Sequence, residues 1–300
     1  MSLRSELLRL GVRWFIKRRR RPTVAAARQH ILAAARWVPS PPAGTEVSAI
    51  SAGGVAGEFV ATPASRPDRH VLFLHGGGYV TGSPAIYRHF TWRIATAARA
   101  RVAAIDYRLA PEHPFPAALD DALAAYEWLL ASSMADPRRT VVMGDSAGGG
   151  LALALSLKLR DAGLELPAAA IALSPWTDLA LTGASLSLNV KSDPMLHTAD
   201  ARLFADCYLA GADPRNPYAS PLYGNPAGLP PTLIHVGSDE ILHDDAVRMA
   251  ENLRAAGCRV QIEVWPRMPH AWHLFAPVLP EATKAIAHIG AFANQVLPSD

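Results

Sequence analysis

The pentapeptide Gly144-Asp145-Ser146-Ala147-Gly148, within "VVMGDSAGGG", sets a serine between two glycines in the pattern G-x-S-x-G. A serine hydroxyl is a weak nucleophile until a base removes its proton. In this pattern the serine sits on a strained strand-to-helix turn that exposes Oγ, and the flanking small residues let strand and helix cross closely. The residues before it are strand-like and those after it helix-like, which is the context the chemistry needs. The start of that helix also offers backbone N–H groups without intrahelical acceptors. Taken alone, the same pattern also describes an ordinary glycine-rich helix start capped by a serine.

A second glycine run lies in "VLFLHGGGYVTGSP" (71–84), directly after an apolar stretch. It could cradle a phosphate, form a flexible turn, or belong to a catalytic site. The phosphate reading fails on spacing. No lysine follows either glycine cluster as G-x-x-x-x-G-K-[ST] requires, and Thr81 and Leu153 occupy the positions where G-x-G-x-x-G needs its last glycine.

A reactive serine of this kind needs an acid and then a histidine later in the chain, each just past the C-terminal end of a strand. Short apolar runs at 71–74, 102–105, 140–143, 169–173, 232–236 and 260–264 are the candidate strands, and they alternate with helical stretches such as 117–131, 149–162 and 244–256. Strands apolar on both faces, alternating with helices, predict an α/β fold with a mainly parallel sheet flanked by helices. After the run 232–236 comes Gly237-Ser238-Asp239, so Asp239 is the expected acid; Glu240, one residue later, stays open as the alternative. Asp244 and Asp245 read as first-turn helix residues. After the run 260–264 comes "WPRMPHAWHLF", where His270 is reached first and His273 about one turn later; His270 is the expected base. The other histidines have no acid-then-histidine order behind them. Ser146, His270 and Asp239 would then act as nucleophile, general base and orienting acid.

At this point the chain resembles the hormone-sensitive-lipase-like group of bacterial carboxylesterases, in the α/β-hydrolase superfamily. The resemblance is carried, in order, by "HGGGYV", "DYRLAPEHPFPAALDD", "GDSAGGG", "SPWTDL", "VGSDEIL" and "MPHAWH", from about residue 50 onward. It implies an α/β-hydrolase fold with a helical cap, and the same triad of Ser146, Asp239 and His270. It implies an oxyanion hole from Gly77, Gly78 and Ala147, with supporting roles beside the site for His75, Asp145, Glu112 and Asp178. The sequence has "D-E-I-L" where many members have D-P-L, and the acid is kept at Asp239 on this reading. The implied division is N-terminal cap helices over 1–45, a catalytic domain over 46–179 and 224–300, and a cap insertion over 180–223. The implied substrates are short- to medium-chain esters, with no metal or organic cofactor and with homodimers common. Two readings compete: a non-catalytic receptor on the same fold, against which His270 counts, and hydrolysis of amides or acyl sugars.

Composition narrows the partners. Half of the 300 residues are hydrophobic, enough for a large core, but no apolar stretch approaches the roughly 20 residues needed to span a bilayer. Two cysteines cannot make a disulfide framework, so a cytoplasmic location is expected. The net charge of +3 is local: residues 1–21 hold eight basic side chains and one acid, Glu6, and the remainder has 21 basic and 25 acidic residues. A general nucleic-acid surface is therefore not expected. In the N-terminal segment Leu3, Leu7, Leu10 and Trp14 recur at helical spacing ahead of the run Lys17–Arg21. Charges that follow the apolar residues do not make a secretory signal. The expectation is an amphipathic helix packed on the domain with a solvated basic end, and weak membrane-surface contact is the alternative.

Overall fold

The computed structural model describes residues 3–17, 23–36, 38–131 and 135–298. Among these, eight strands form one sheet: β1 (Glu46–Ala52), β2 (Val55–Ala61), β3 (Arg66–Leu74), β4 (Ala100–Ile105), β5 (Thr140–Asp145), β6 (Ala169–Leu173), β7 (Thr232–Gly237) and β8 (Val260–Trp265). Their order is β1-β2-β4-β3-β5-β6-β7-β8; β2 runs antiparallel to both neighbours and all other pairs are parallel. This is an α/β-hydrolase fold. The helices are α1 (Leu3–Val12), α2 (Val24–Ala35), α3 (Pro84–Ala98), α4 (Ala117–Ala131), α5 (Ala147–Asp161), α6 (Ser185–Leu188), α7 (Thr198–Leu209), α8 (His243–Ala255) and α9 (Pro280–Val296), with a π-helical turn Arg13–Lys17 after α1.

The central strands are apolar on both faces because both faces are covered. β5 and β6 are buried at every residue. On β3, Val71 and Phe73 point to a cluster with Phe90 and Ile94 of α3 and Ile289 and Phe292 of α9. Leu72 and Leu74 point the other way, to Leu119 and Leu129 of α4 and Leu151 and Leu155 of α5. The period-2 alternation of a strand thus feeds two separate cores. β1 and β2 lay outside the strands expected from apolar runs, because β1 is largely exposed and β2 carries Gly57 and Glu58. Their signal was a turn: Gly53 and Gly54 both take positive φ and join Ala52 to its partner Val55, the geometry of a tight two-residue hairpin.

The N-terminal helix corrects one expectation. α1 does pack on the domain, but through Ser5, Leu8, Arg9 and Val12, with Ser5 and Val12 buried. The stripe expected to face inward points to solvent: Leu7, Leu10 and Trp14 are 61%, 65% and 58% exposed. The physical reason is polar anchoring. Arg9 reaches Asp239 at 2.6 Å and the Arg267 carbonyl at 2.6 Å, and Glu6 pairs with Arg267 at 2.9 Å. Of the basic run, Lys17 donates to the Val190 and Asp193 carbonyls, while Arg18–Arg21 lie outside the described residues. No helix among the described residues is long and apolar enough to cross a membrane.

Candidate active site

The parallel order of β3, β5, β6, β7 and β8 brings the loops after these strands to one edge of the sheet, where ligands of open α/β sheets bind. Ser146 stands between β5 and α5 with φ 54° and ψ −122°, a conformation that costs a non-glycine residue on the order of 1–3 kcal/mol. Three backbone bonds hold it there. Its N–H donates to Leu173 O at 2.8 Å, and its carbonyl accepts from Gly150 N at 3.1 Å and Trp176 N at 2.9 Å. The helix can approach this closely only because residue 148 is glycine; a Cβ there would overlap the Leu74 carbonyl oxygen. Ala147 is the first residue of α5, so its N–H belongs to the turn that has no intrahelical acceptor.

His270 follows β8 as expected, but its acid partner is Glu240 rather than Asp239. Glu240 Oε2 lies 2.8 Å from His270 Nδ1, and both side chains are buried. The other oxygen, Oε1, accepts from Gly237 N at 2.6 Å and from Ser174 Oγ at 2.7 Å. Ser174 Oγ in turn accepts from Ala271 N at 3.1 Å, tying the acid to the loop that carries the histidine. Asp239 faces the other way, to Arg9 at 2.6 Å and to Ser238 Oγ at 2.9 Å. The cause is strand length. β7 continues to Gly237, and the Ser238 N–H still bonds Trp265 O at 3.0 Å, so the turn comes one residue later than the apolar run suggested. Asp239 is thereby directed outward and Glu240 inward. Sequence reasoning also missed Ser174, which no motif marks as polar support for the acid.

This arrangement sets the imidazole up as a base. Burial alone would pull the His270 pKa down, but the hydrogen bond and charge of Glu240, with the charges of Asp193 and Asp145 behind it, raise it above the ordinary histidine value. A carboxylate on Nδ1 also requires the proton at Nδ1, leaving Nε2 free to accept.

The glycine run follows β3. Gly77 and Gly78 take φ of 125° and 64°, and Gly77 O accepts from Val80 N at 3.2 Å and Thr81 N at 3.1 Å, closing a tight loop. A Cβ on Gly77 would overlap the Thr81 carbonyl. His75 is wholly buried and stacks on Tyr107 with ring centroids 4.2 Å apart, while Tyr107 OH donates to His75 O at 2.6 Å. Burial holds the His75 pKa down at about 4 against the pull of the Gly76 carbonyl, so the ring is neutral and braces the loop. Asp145, beside the serine, accepts from Gly76 N at 2.9 Å and from Tyr87 OH at 3.0 Å, linking the serine turn to the glycine loop. Its burial lifts its pKa to about 6, although the Tyr87 bond, His270 and Gly76 N oppose the rise.

Glu112 and Asp178 lie outside this cluster. Glu112 is exposed and holds Arg28 of α2 with two bonds of 2.7 Å. Arg28 then donates to Val80 O at 2.8 Å and Ala110 O at 3.0 Å, so Glu112 reaches the glycine loop only through α2. Asp178 accepts from Ala180 N, Thr182 N, Tyr223 OH and Arg248, at 2.9–3.1 Å. It fixes the start of the segment 180–223 and touches neither Ser146 nor His270.

Ser146, His270, Gly77 and Gly78 line one cavity of about 210 Å³. Its remaining wall is mostly apolar: Ile31 comes from α2, Met195, Leu196 and Phe204 from the segment 180–223, and Leu242 and Leu274 from the loops after β7 and β8. A nucleophile and base therefore share a small, largely apolar space in which a neutral substrate with one polar reacting group would fit.

Residues 71–274 match a family profile described as an alpha/beta hydrolase fold. The chain is 50% identical over 243 residues to an acetyl-hydrolase of Streptomyces hygroscopicus, covering 81% of each chain. It is 36% identical over 252 residues to an esterase of Acinetobacter venetianus, covering 84% of this chain and 82% of the other. Among solved structures, an esterase from the bacterial hormone-sensitive lipase family superposes with a TM-score of 0.95 at 41% identity, covering 99% of both chains. An esterase/lipase from an uncultured bacterium does so with a TM-score of 0.94 at 38% identity over the whole of both.

Proposed function

The chain belongs to the hormone-sensitive-lipase-like group of α/β-hydrolase carboxylic ester hydrolases, and on that premise we propose that it cleaves short- to medium-chain esters through an acyl-enzyme formed on Ser146. His270 takes the Ser146 proton as Oγ attacks the ester carbonyl and returns it to the leaving alcohol. A water then attacks the acyl carbonyl and gives its proton to the same imidazole, and as the Ser146 Oγ–acyl bond breaks that proton returns to Oγ and the acid leaves. Glu240 keeps the proton on Nδ1 and stabilises the imidazolium in both halves of the cycle. The N–H groups of Gly77, Gly78 and Ala147 bind the oxyanion, and removal of one such donor costs about 10²–10³ in rate.

The observation that carries this reading is the pairing of a strained Ser146 with His270 on one cavity while Glu240 holds the far side of the imidazole. A cavity of about 210 Å³ favours small acyl and alcohol groups, since sites for drug-sized ligands run about 300–1,000 Å³. We take the N-terminal helices and the segment 180–223 as the cap, because they supply Ile31, Met195, Leu196 and Phe204 to that wall. Ser146→Ala tests the mechanism: hydrolysis of p-nitrophenyl acetate is expected to vanish with the circular dichroism spectrum unchanged, and labelling by a fluorophosphonate to be lost. Near-wild-type turnover by that variant would exclude Ser146 as nucleophile.

A further inference from the structure

Ester chemistry leaves the outer face of α1 without a use. Leu7 and Leu10 of α1 fall within about 60° of one another on a helix turning about 100° per residue, Trp14 of the π-helical turn that continues α1 lies in the same arc, and each is more than half exposed. A single exposed leucine needs no explanation, but three large apolar side chains on one face form a patch. The helix cannot roll over to bury them without breaking the bonds of Arg9 to Asp239 and the Arg267 carbonyl, at 2.6 Å each. Ser5 and Val12 are buried on the opposite face.

The charge around the stripe selects the occupant. Arg4 and Arg13 are exposed on its two flanks, and Glu6, the sole acid of the segment, is taken up by Arg267 at 2.9 Å. In sequence, four arginines follow Lys17 directly. A second copy of the chain meeting this face about a two-fold axis would set basic flank against basic flank. Nucleic acid would satisfy the arginines but not the leucines. Apolar side chains with a tryptophan, bordered by arginines, match a helix lying in the interface of a bilayer with anionic headgroups.

We infer that α1 and the π-helical turn that continues it dock on an anionic lipid surface, with Leu7, Leu10 and Trp14 entering the acyl boundary and Arg4 and Arg13 meeting headgroup phosphates. The π-helical turn after α1 ends close to the cavity: the Lys17 carbonyl is hydrogen-bonded by His197 Nε2 at 2.6 Å, and His197 lines the cavity wall. Docking therefore holds that rim near the bilayer, where apolar esters concentrate.

The test is co-sedimentation with vesicles of phosphatidylcholine alone or mixed with phosphatidylglycerol, comparing the wild type with the combined variant Leu7→Gln/Leu10→Gln/Trp14→Gln. The wild type is expected to pellet with the anionic vesicles only. It should be released as salt rises from about 0.1 M to about 1 M, which shortens the screening length from about 10 Å to about 3 Å. The variant is expected to bind at least about tenfold more weakly, with p-nitrophenyl acetate turnover in the absence of lipid and Tm unchanged. Wild-type protein that stays in the supernatant with phosphatidylglycerol vesicles overturns the inference, as does a variant that pellets equally well. Sedimentation velocity adds a third refutation: a wild-type dimer that the variant converts to monomer would assign the stripe to a second copy.

Discussion

Glu240→Gln and Asp239→Asn are isosteric changes one residue apart, and the structure gives them opposite outcomes. In Glu240→Gln the orientation of the new amide is dictated by its neighbours. Gly237 N–H and Ser174 O–H both donate to the Oε1 position, at 2.6 and 2.7 Å, so the amide oxygen must stay there. The NH₂ group then falls 2.8 Å from His270 Nδ1. Two donors cannot face each other, and the imidazole shifts its proton to Nε2, the nitrogen that must accept from Ser146. Loss of the productive tautomer in a triad of this kind costs about 10⁴ in kcat, or roughly 5 kcal/mol of barrier. With the carboxylate gone, the support that lifts the His270 pKa is also gone. The acid limb of the residual kcat/KM profile should therefore move to lower pH than in the wild type, where Glu240 holds the His270 pKa above the ordinary histidine value. In Asp239→Asn the amide still accepts from Arg9 or Ser238, and nothing changes at the imidazole. Turnover is expected to stay within about threefold, with a stability loss of about 1–3 kcal/mol from the weakened, mostly buried ion pair. The assay is steady-state hydrolysis of p-nitrophenyl acetate between pH 5 and 9, with thermal melts to show that both variants fold. An active Glu240→Gln, or an inactive but folded Asp239→Asn, would refute the assignment of the acid.

Three further outcomes follow from the same geometry. Ser146→Gly should abolish turnover and raise stability by about 1 kcal/mol, since glycine relieves the cost of φ 54° and ψ −122° but adds chain entropy to the unfolded state; a lower Tm would show that the elbow stores no strain. Gly77→Ala should lower kcat by at least about 10² because the added Cβ meets the Thr81 carbonyl and displaces the loop, while Gly78→Ala, at φ 64° and against the movable Phe204 ring, should lose less; equal kcat in Gly77→Ala and wild type would remove the glycine loop from catalysis. Acid should destabilise the fold between pH 6.5 and 4: burial holds His70 and His75 at about 4 in the folded state against 6.5 unfolded, so the unfolded chain binds more protons in that window and stability falls with pH, by on the order of 3 kcal/mol for each histidine. Asp145, lifted from 3.8 to about 6, works in the opposite direction and offsets part of that loss. A urea midpoint no lower at pH 5 than at pH 7 would contradict the buried neutral state of these rings.

The sequence was most legible where one local signal settled both structure and chemistry. The turn at Ser146 could be read because strand, glycines and helix all lie within ten residues, and strands such as β5, β6 and β7 because burial on both faces leaves mostly apolar runs. β1 and β2 lacked that signal. β1 is the edge of the sheet and β2 lies next to it, with Gly57 and Glu58 breaking its apolar run, and only the Gly53-Gly54 turn marked them.

The two misplacements, Asp239 and the stripe of α1, share a cause: each depends on which way a side chain points, and that is set by contacts distant in sequence. Counting from an apolar run cannot tell whether β7 ends at 236 or 237, yet one residue reverses which of two adjacent carboxylates faces inward. The better local guide was the buried pair Ile241-Leu242, since the carboxylate directly before it is the one drawn into the interior. In α1, helical spacing correctly grouped Leu7, Leu10 and Trp14 on one face, but periodicity does not say which face meets the domain. The answer came from Asp239 itself. The carboxylate that the histidine does not use is the one that anchors Arg9, and by fixing the polar side of α1 against the domain it turns the apolar side outward. Asp239→Ala should therefore loosen α1 and change vesicle binding while leaving the Glu240–His270 pair intact, which separates the roles of the two neighbouring acids in one protein.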